Sequence, residues 1–285
     1  MTQLITGSTR FIAHLGLPTK NFRAPMIYNP YFEHRGIDVV VVPMGCGAED
    51  FPAVLPLLLR MENCVGALVT MPHKISVLDL LDDVSTAIEV CGSCNAVRRD
   101  ASDRLVGDMF DGEGFARALT AHGRKIEGAS ALLIGTGGVG SAIAAALAGL
   151  GLGRLGLSDA APERAEALKG RLGRHFPGLA IEPGATDPAG WDIVINATPL
   201  GMDDGDPPPV DVGRISPEAF VCEVVMKPGG TAFINAARAR GCAVQVGTDM
   251  LFAQIPAYLE FFGLPVADPA ELRRLARIPG LDHEP

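Results

Sequence analysis

Two short stretches of the chain hold residue types whose spacing could do chemistry. The first is Gly135-Thr136-Gly137-Gly138-Val139-Gly140, spaced as G-x-G-x-x-G. The apolar run "ALLI" precedes it and the alanine-rich "SAIAAALAGL" follows. A buried strand, a glycine turn and a close-packing helix in that order leave backbone N–H groups at a helix start, where a pyrophosphate binds. The next strand, "RLGLS", runs into Asp159, 24 residues beyond Gly135. That is near the spacing of an acid that accepts the hydroxyls of an adenosine ribose. A carboxylate there repels a 2′-phosphate, and the next base is Arg164. Asp159 therefore favours NAD over NADP as cofactor. The second stretch is Val69-Thr70-Met71-Pro72-His73-Lys74, which sets a lysine between the apolar runs "VGALVT" and "ISVLDLL". An amine partly withdrawn from water there could exchange a proton with a substrate.

Other reactive residue types carry less. Of the six cysteines, Cys91 and Cys94 have C-x-x-C spacing but lack the second pair of a zinc site, so they are read as small half-buried thiols. His14 lies in a strand and is read as a satisfied interior imidazole; His73 could face either way beside Lys74. No His, Cys or carboxylate spacing suits a metal, and none is expected.

The elements that must position these residues alternate. Strand signals fall at 10–16, 37–44 and 65–70, with helical patterns at 51–62 and 75–90. A second unit begins near residue 112 with a helix at 112–123. Beyond the glycine loop, further strands fall at 191–198, 219–226 and 243–248, and a helical pattern covers 249–263. The stretch 202–213, acidic and proline-rich, reads as a surface loop. Such alternation implies an α/β fold with mostly parallel sheets. The length, 285 residues, suits two domains, and the 48% apolar content suffices for two cores.

A net charge of −9 without a basic block argues against nucleic acid or an anionic membrane as partner. No apolar run approaches the ~18–20 residues of a membrane span, and no signal peptide is evident. A soluble cytoplasmic protein acting on a small molecule, as monomer or homodimer, is expected.

Six segments in order resemble the shikimate dehydrogenase family: Val69–Lys74, Gly92–Asn95, Gly107–Gly114, Gly135–Gly140, Asn196–Met202 and Gly247–Gln254. The resemblance implies a substrate-binding, catalytic domain from 1–111 plus 247–285. It implies a Rossmann domain from 112–246, with the catalytic cleft between the two. The expected reaction is reversible hydride transfer between NAD(P) and a secondary alcohol of a cyclic polyhydroxylated substrate such as shikimate or quinate. The family's catalytic pair falls on Lys74 and Asp111, and its hydroxyl-contacting positions on Thr70, Asn95 and Gln254. Cofactor contacts fall on Gly135 to Gly140, on Asp159, on Asn196, Ala197, Thr198, Pro199 and Met202, and on Gly247, Met250 and Leu251.

The resemblance breaks at one end of the site. Where the family carries a S-x-S-P carboxylate anchor, this chain has Phe22-Arg23-Ala24-Pro25. A family tyrosine that meets the same carboxylate is Met226 here. Either Arg23, Lys20 or Tyr28 supplies a new anchor, or the substrate bears a neutral or apolar group facing Phe22, Ala24 and Met226. The sequence leans to the latter. A regulatory nucleotide-binding protein without activity, and another two-domain dehydrogenase of the methylene-tetrahydrofolate type, are the alternatives.

Overall fold

The computed structural model describes residues 4–279. Within them the chain divides into two compact units. One holds residues up to 88, 92–110 and from 255 onward; the other holds 89–91 and 111–254.

The first unit is built on strands β1 (Arg10–Gly16), β2 (Val39–Gly45), β3 (Cys64–Val69), β4 (Asp83–Val84), β5 (Ala96–Arg99) and β6 (Leu105–Asp108). They form a sheet in the order β2-β1-β3-β5-β6-β4. β1 pairs in parallel with both β2 and β3, while β5 runs antiparallel to β3 and to β6. The β5–β6 hairpin turns at Asp103, which has φ 67°. The Asp100 carboxylate holds that turn by accepting the N–H groups of Ser102 and Arg104 at 2.8 and 3.0 Å. The helices Ala24–Arg35 and Phe51–Leu59 bury Ile27, Tyr31, Phe32, Phe51 and Leu55.

The helix expected over 75–90 is instead three pieces: a 3-10 turn at Ser76–Leu80, strand β4, and a helix at Thr86–Cys91. Edge pairing overrides the helical spacing there. β4 lies parallel to β6, and Asp82 accepts the Leu105 N–H at 2.7 Å.

The second unit carries β7 (Ser130–Ile134), β8 (Arg154–Ser158), β9 (Ala180–Pro183), β10 (Ile193–Asn196), β11 (Phe220–Glu223) and β12 (Ala243–Gln245). All pair in parallel in the order β12-β11-β10-β7-β8-β9. Side chains alternate between the faces of β7. Ala131 and Leu133 join one core with Ile143, Leu147 and Leu157, while Leu132 and Ile134 join another with Val194, Val221 and Ile234. A parallel sheet buried on both faces needs this continuous apolar pattern. The chain leaves β7 for β8 and β9 and then returns to β10 on its other side, so the order reverses between β7 and β10. Ligands of such sheets bind outside the carboxyl ends of the strands at that reversal.

Candidate active site

The glycine turn lies at the carboxyl end of β7. Gly135 has φ 95°, and a Cβ on it would stand 2.8 Å from the carbonyl carbon of Ala197. A Cβ on Gly140 would stand 1.9 Å from the Gly135 oxygen. Gly137, the N-cap of helix Gly138–Gly149, has nothing within 4 Å of such an atom. The turn is thus closed inward and open outward at a helix start, and a dinucleotide pyrophosphate fits it. Thr136 is buried, and its carbonyl accepts the Ser141 hydroxyl at 2.9 Å. Val139 is half-buried and Gly138 exposed.

The adjoining loop is shaped by Asn196, which is fully buried at the end of β10. Its Oδ1 accepts the N–H and hydroxyl of Thr198 at 3.1 and 2.6 Å, and its amide donates to the Leu200 carbonyl at 2.9 Å. Ala197 donates its N–H to Ile134 at 2.7 Å, which ties this loop to β7. Pro199 and Met202 stand exposed on it. Gly247 begins the helix Gly247–Ala253, with Met250 buried and Leu251 half-buried.

Asp159 is tied to the glycine turn. Its Oδ2 accepts both the N–H and the hydroxyl of Thr136 at 2.7 Å, and its Oδ1 accepts the Ala161 N–H at 3.0 Å. Burial works to raise its pKa, but these hydrogen bonds and the Arg164 charge outweigh burial and lower it. The acid is engaged in holding the turn, with the Arg164 charge acting on it.

Asp111, 7% exposed, opens the helix Asp111–Ala121. On the same helix, a Cβ on Gly114 would meet the Cβ of Gln254 at 2.3 Å, so this glycine seats Gln254 against the helix that Asp111 begins. The Gln254 Oε1 is buried without a hydrogen-bond partner. Met226 is exposed just beyond β11.

In the first unit, Thr70, Lys74, Asn95, Phe22 and His14 gather at the carboxyl end of β1 and β3. Thr70 donates its N–H to Leu15 at 2.9 Å, and its carbonyl accepts the His73 N–H at 2.9 Å across the cis Met71–Pro72 bond. Cys94 donates to the Lys74 carbonyl at 2.8 Å, which brings Lys74 beside Asn95. Asn95 is buried and its Oδ1 accepts the Phe110 N–H at 3.0 Å. Gly16 is the floor: a Cβ there would lie 2.5 Å from Thr70 Cγ2 and 3.3 Å from Phe22 Cζ. Lys74 is half-buried, as are Arg23 and Ala24, at the start of helix Ala24–Arg35. Tyr28 is buried, with its ring edge-on to Phe32.

Two histidines differ from one another. His73 is fully buried, stacks on Phe51 at 4.0 Å, and donates from Nε2 to the Cys46 carbonyl at 2.8 Å. It anchors the turn that carries Lys74. His14 was expected to be a satisfied interior imidazole, and it is not. It is 8% exposed and stacks on Phe22 at 4.0 Å, and its Nδ1 has no partner. Leaving such a buried atom unpaired costs about 1–3 kcal/mol. Burial, and then the Lys74 charge, lower its pKa to about 4. The signal in the sequence was its spacing: residues 14 and 16 share one face of β1.

The cysteines at 91 and 94 are buried and reduced. Among the described residues, no group of three or more His, Cys, Asp or Glu side chains could hold a metal ion. No helix among them is long and apolar enough to cross a membrane.

A doubly wound nucleotide sheet, joined in one chain to a second α/β unit bearing a half-buried lysine among amide and hydroxyl side chains, defines an NAD(P)-dependent dehydrogenase. Residues 15–97 match the shikimate dehydrogenase substrate binding domain. The shikimate dehydrogenase (NADP(+)) of Rubrobacter xylanophilus is 36% identical over 254 residues, 88% of this chain and 89% of that protein. The shikimate 5-dehydrogenase of Listeria monocytogenes, solved with shikimate and NAD, superposes with a TM-score of 0.89 at 26% identity, covering 96% and 99% of the two chains. The ligand-free 5-ketofructose reductase of Gluconobacter sp. strain CHM43 superposes with a TM-score of 0.86 at 26% identity, covering 94% and 97%. The chain belongs to the shikimate dehydrogenase family, oxidoreductases acting on a CH–OH group. The expectation of NAD is overturned: relatives matched at 30–36% identity are named for NADP(+).

Proposed function

We propose that this chain catalyses reversible hydride transfer between NADP and a secondary alcohol of a small polyhydroxylated substrate that carries no carboxylate. NADP, when bound, supplies the hydride acceptor of the oxidative direction. Lys74 exchanges the proton of the substrate oxygen, and Asp111 shares and positions that charge. Thr70, Asn95 and Gln254 orient the substrate's hydroxyls. Residues 4–110 with the C-terminal segment serve substrate binding, and the parallel-sheet unit serves the nucleotide. Gly137 and the start of its helix take the pyrophosphate, with Asn196 to Met202 and Gly247 to Leu251 flanking it. Arg164, whose charge acts on Asp159, meets the 2′-phosphate.

The observation that carries the substrate class is the Phe22–His14 stack above Gly16. An aromatic edge and Ala24 stand where the family's hydroxyl anchor would be, and a carboxylate pressed against them without a partner would be strongly disfavoured. Tyr28, one of three replacement anchors considered, is enclosed in the core. The likeness to a reductase named for a neutral ketose supports the same choice.

The experiment is a steady-state assay with NADP or NADPH of shikimate, quinate, and neutral polyols and ketoses. A neutral substrate should exceed shikimate in kcat/KM by about tenfold or more. Efficient turnover of shikimate would overturn the substrate class.

A further inference from the structure

We propose that His14 is a specificity-determining residue, its buried imidazole nitrogen holding a hydroxyl or carbonyl oxygen of the substrate at the end of the site lined by Phe22. The assignment rests on the neutral-substrate proposal and adds to it the group that recognises that end.

Three independent features of the structure converge on this residue. His14 is nine-tenths buried, yet its Nδ1 makes no hydrogen bond. Native interiors rarely leave such an atom alone, and each exception calls for a role or a partner. Its ring is held in place by the 4.0 Å stack on Phe22, at an interplanar angle of 24°. It therefore presents a fixed nitrogen rather than a swinging one. Its neighbours are the residues of the substrate half-site. Phe22 and Thr70 converge over Gly16, two residues along the same strand, and the Lys74 charge reaches the ring. His73 is equally stacked and its Nδ1 is likewise without a partner, but its Nε2 is committed to the Cys46 carbonyl and its ring to Phe51, so what sets His14 apart is its place among Phe22, Thr70 and Gly16.

The chemistry of the ring selects the ligand. Burial beside an ammonium group keeps the imidazole neutral near neutral pH. A neutral imidazole has one N–H and one lone pair. It can pair with a hydroxyl in either direction, or donate to a carbonyl oxygen. It cannot neutralise a carboxylate as an Arg would. The Phe22–His14 pair thus offers an aromatic wall and a single neutral hydrogen-bonding atom.

The test compares His14→Leu and His14→Asn with wild type on the best neutral substrate and on shikimate. NADPH binding and thermal unfolding are followed in parallel. His14→Leu should raise KM for the neutral substrate about tenfold or more, with kcat, NADPH affinity and Tm close to wild type. His14→Asn, which keeps a neutral polar group, should recover part of the loss. An unchanged KM in His14→Leu, or a fall in Tm with KM intact, would overturn the assignment and make His14 a structural residue. Failure of the substrate class looks different: wild type itself would then prefer shikimate.

Discussion

Asp159 Oδ2 accepts two hydrogen bonds of 2.7 Å from one residue, the N–H and the hydroxyl of Thr136. The acid that ends β8 therefore clamps the glycine turn that ends β7. In the sequence this acid looked like the discriminator between two cofactors. In the fold it is a brace, and the proposed partner of a 2′-phosphate is Arg164, whose charge acts on Asp159.

Arg164→Ala should raise KM for NADPH roughly tenfold while leaving KM for NADH nearly unchanged, since only a 2′-phosphate loses a charged partner. Parallel kinetics with the two nucleotides measure this. Equal effects on both would remove Arg164 from phosphate recognition.

Lys74→Ala should lower kcat by about a thousandfold, the range of a lost proton-transfer group. NADPH binding, followed by fluorescence titration, should survive because the glycine turn is untouched. Wild-type turnover in this variant would exclude Lys74 from the chemistry.

Gly140→Ala would drive a methyl group to 1.9 Å from the Gly135 oxygen, so turn and helix must separate. The expected cost is about 1–3 kcal/mol of stability, with nucleotide affinity falling alongside. Gly137→Ala, which points into open space, should keep the fold and weaken nucleotide binding alone. Melting curves with and without NADPH separate the two.

Glu223 supplies a pH dependence. It is fully buried at the end of β11, with Oε1 unpartnered and Oε2 accepting the Thr231 hydroxyl at 2.6 Å. Burial raises its pKa above the ordinary 4.5. Its folded state therefore holds a proton that the unfolded chain gives up sooner. The stability it contributes is complete below pH 4.5 and lost as pH rises through the folded value. Glu223→Gln should be more stable than wild type at pH 8, with the gap closing toward pH 4.5. Urea midpoints across that range measure it, and a gap that stays constant with pH would contradict the burial argument.

Much of the fold was legible because it follows from local pattern. The strand–turn–helix at 131–149 reads directly, since only glycines let a helix start so close to a strand end. Helix Ala24–Arg35 was assigned no element in the sequence, where Pro25 and Pro30 interrupt the helical pattern, although Pro25 lies in the first turn. The stretch 75–90 had helical spacing but was divided by pairing with β6, a partner more than twenty residues away. Of the candidate site, Thr70, Lys74 and Asn95 could be picked out by their order along the chain. For His14 the sequence offered only its place on the same face of β1 as Gly16, because what distinguishes it is an absent partner.

By itself, then, the order of amino acids determined the two-unit α/β plan, the nucleotide turn and the family. Each of these depends on backbone requirements or residue spacings that hold over a few neighbouring positions. Only the tertiary structure decided that Asp159 braces Thr136, that Gly114 seats Gln254, and that His14 stacks on Phe22 with a bare nitrogen. Those outcomes turn on which distant segments meet, and hydrogen-bond satisfaction is settled only when they do.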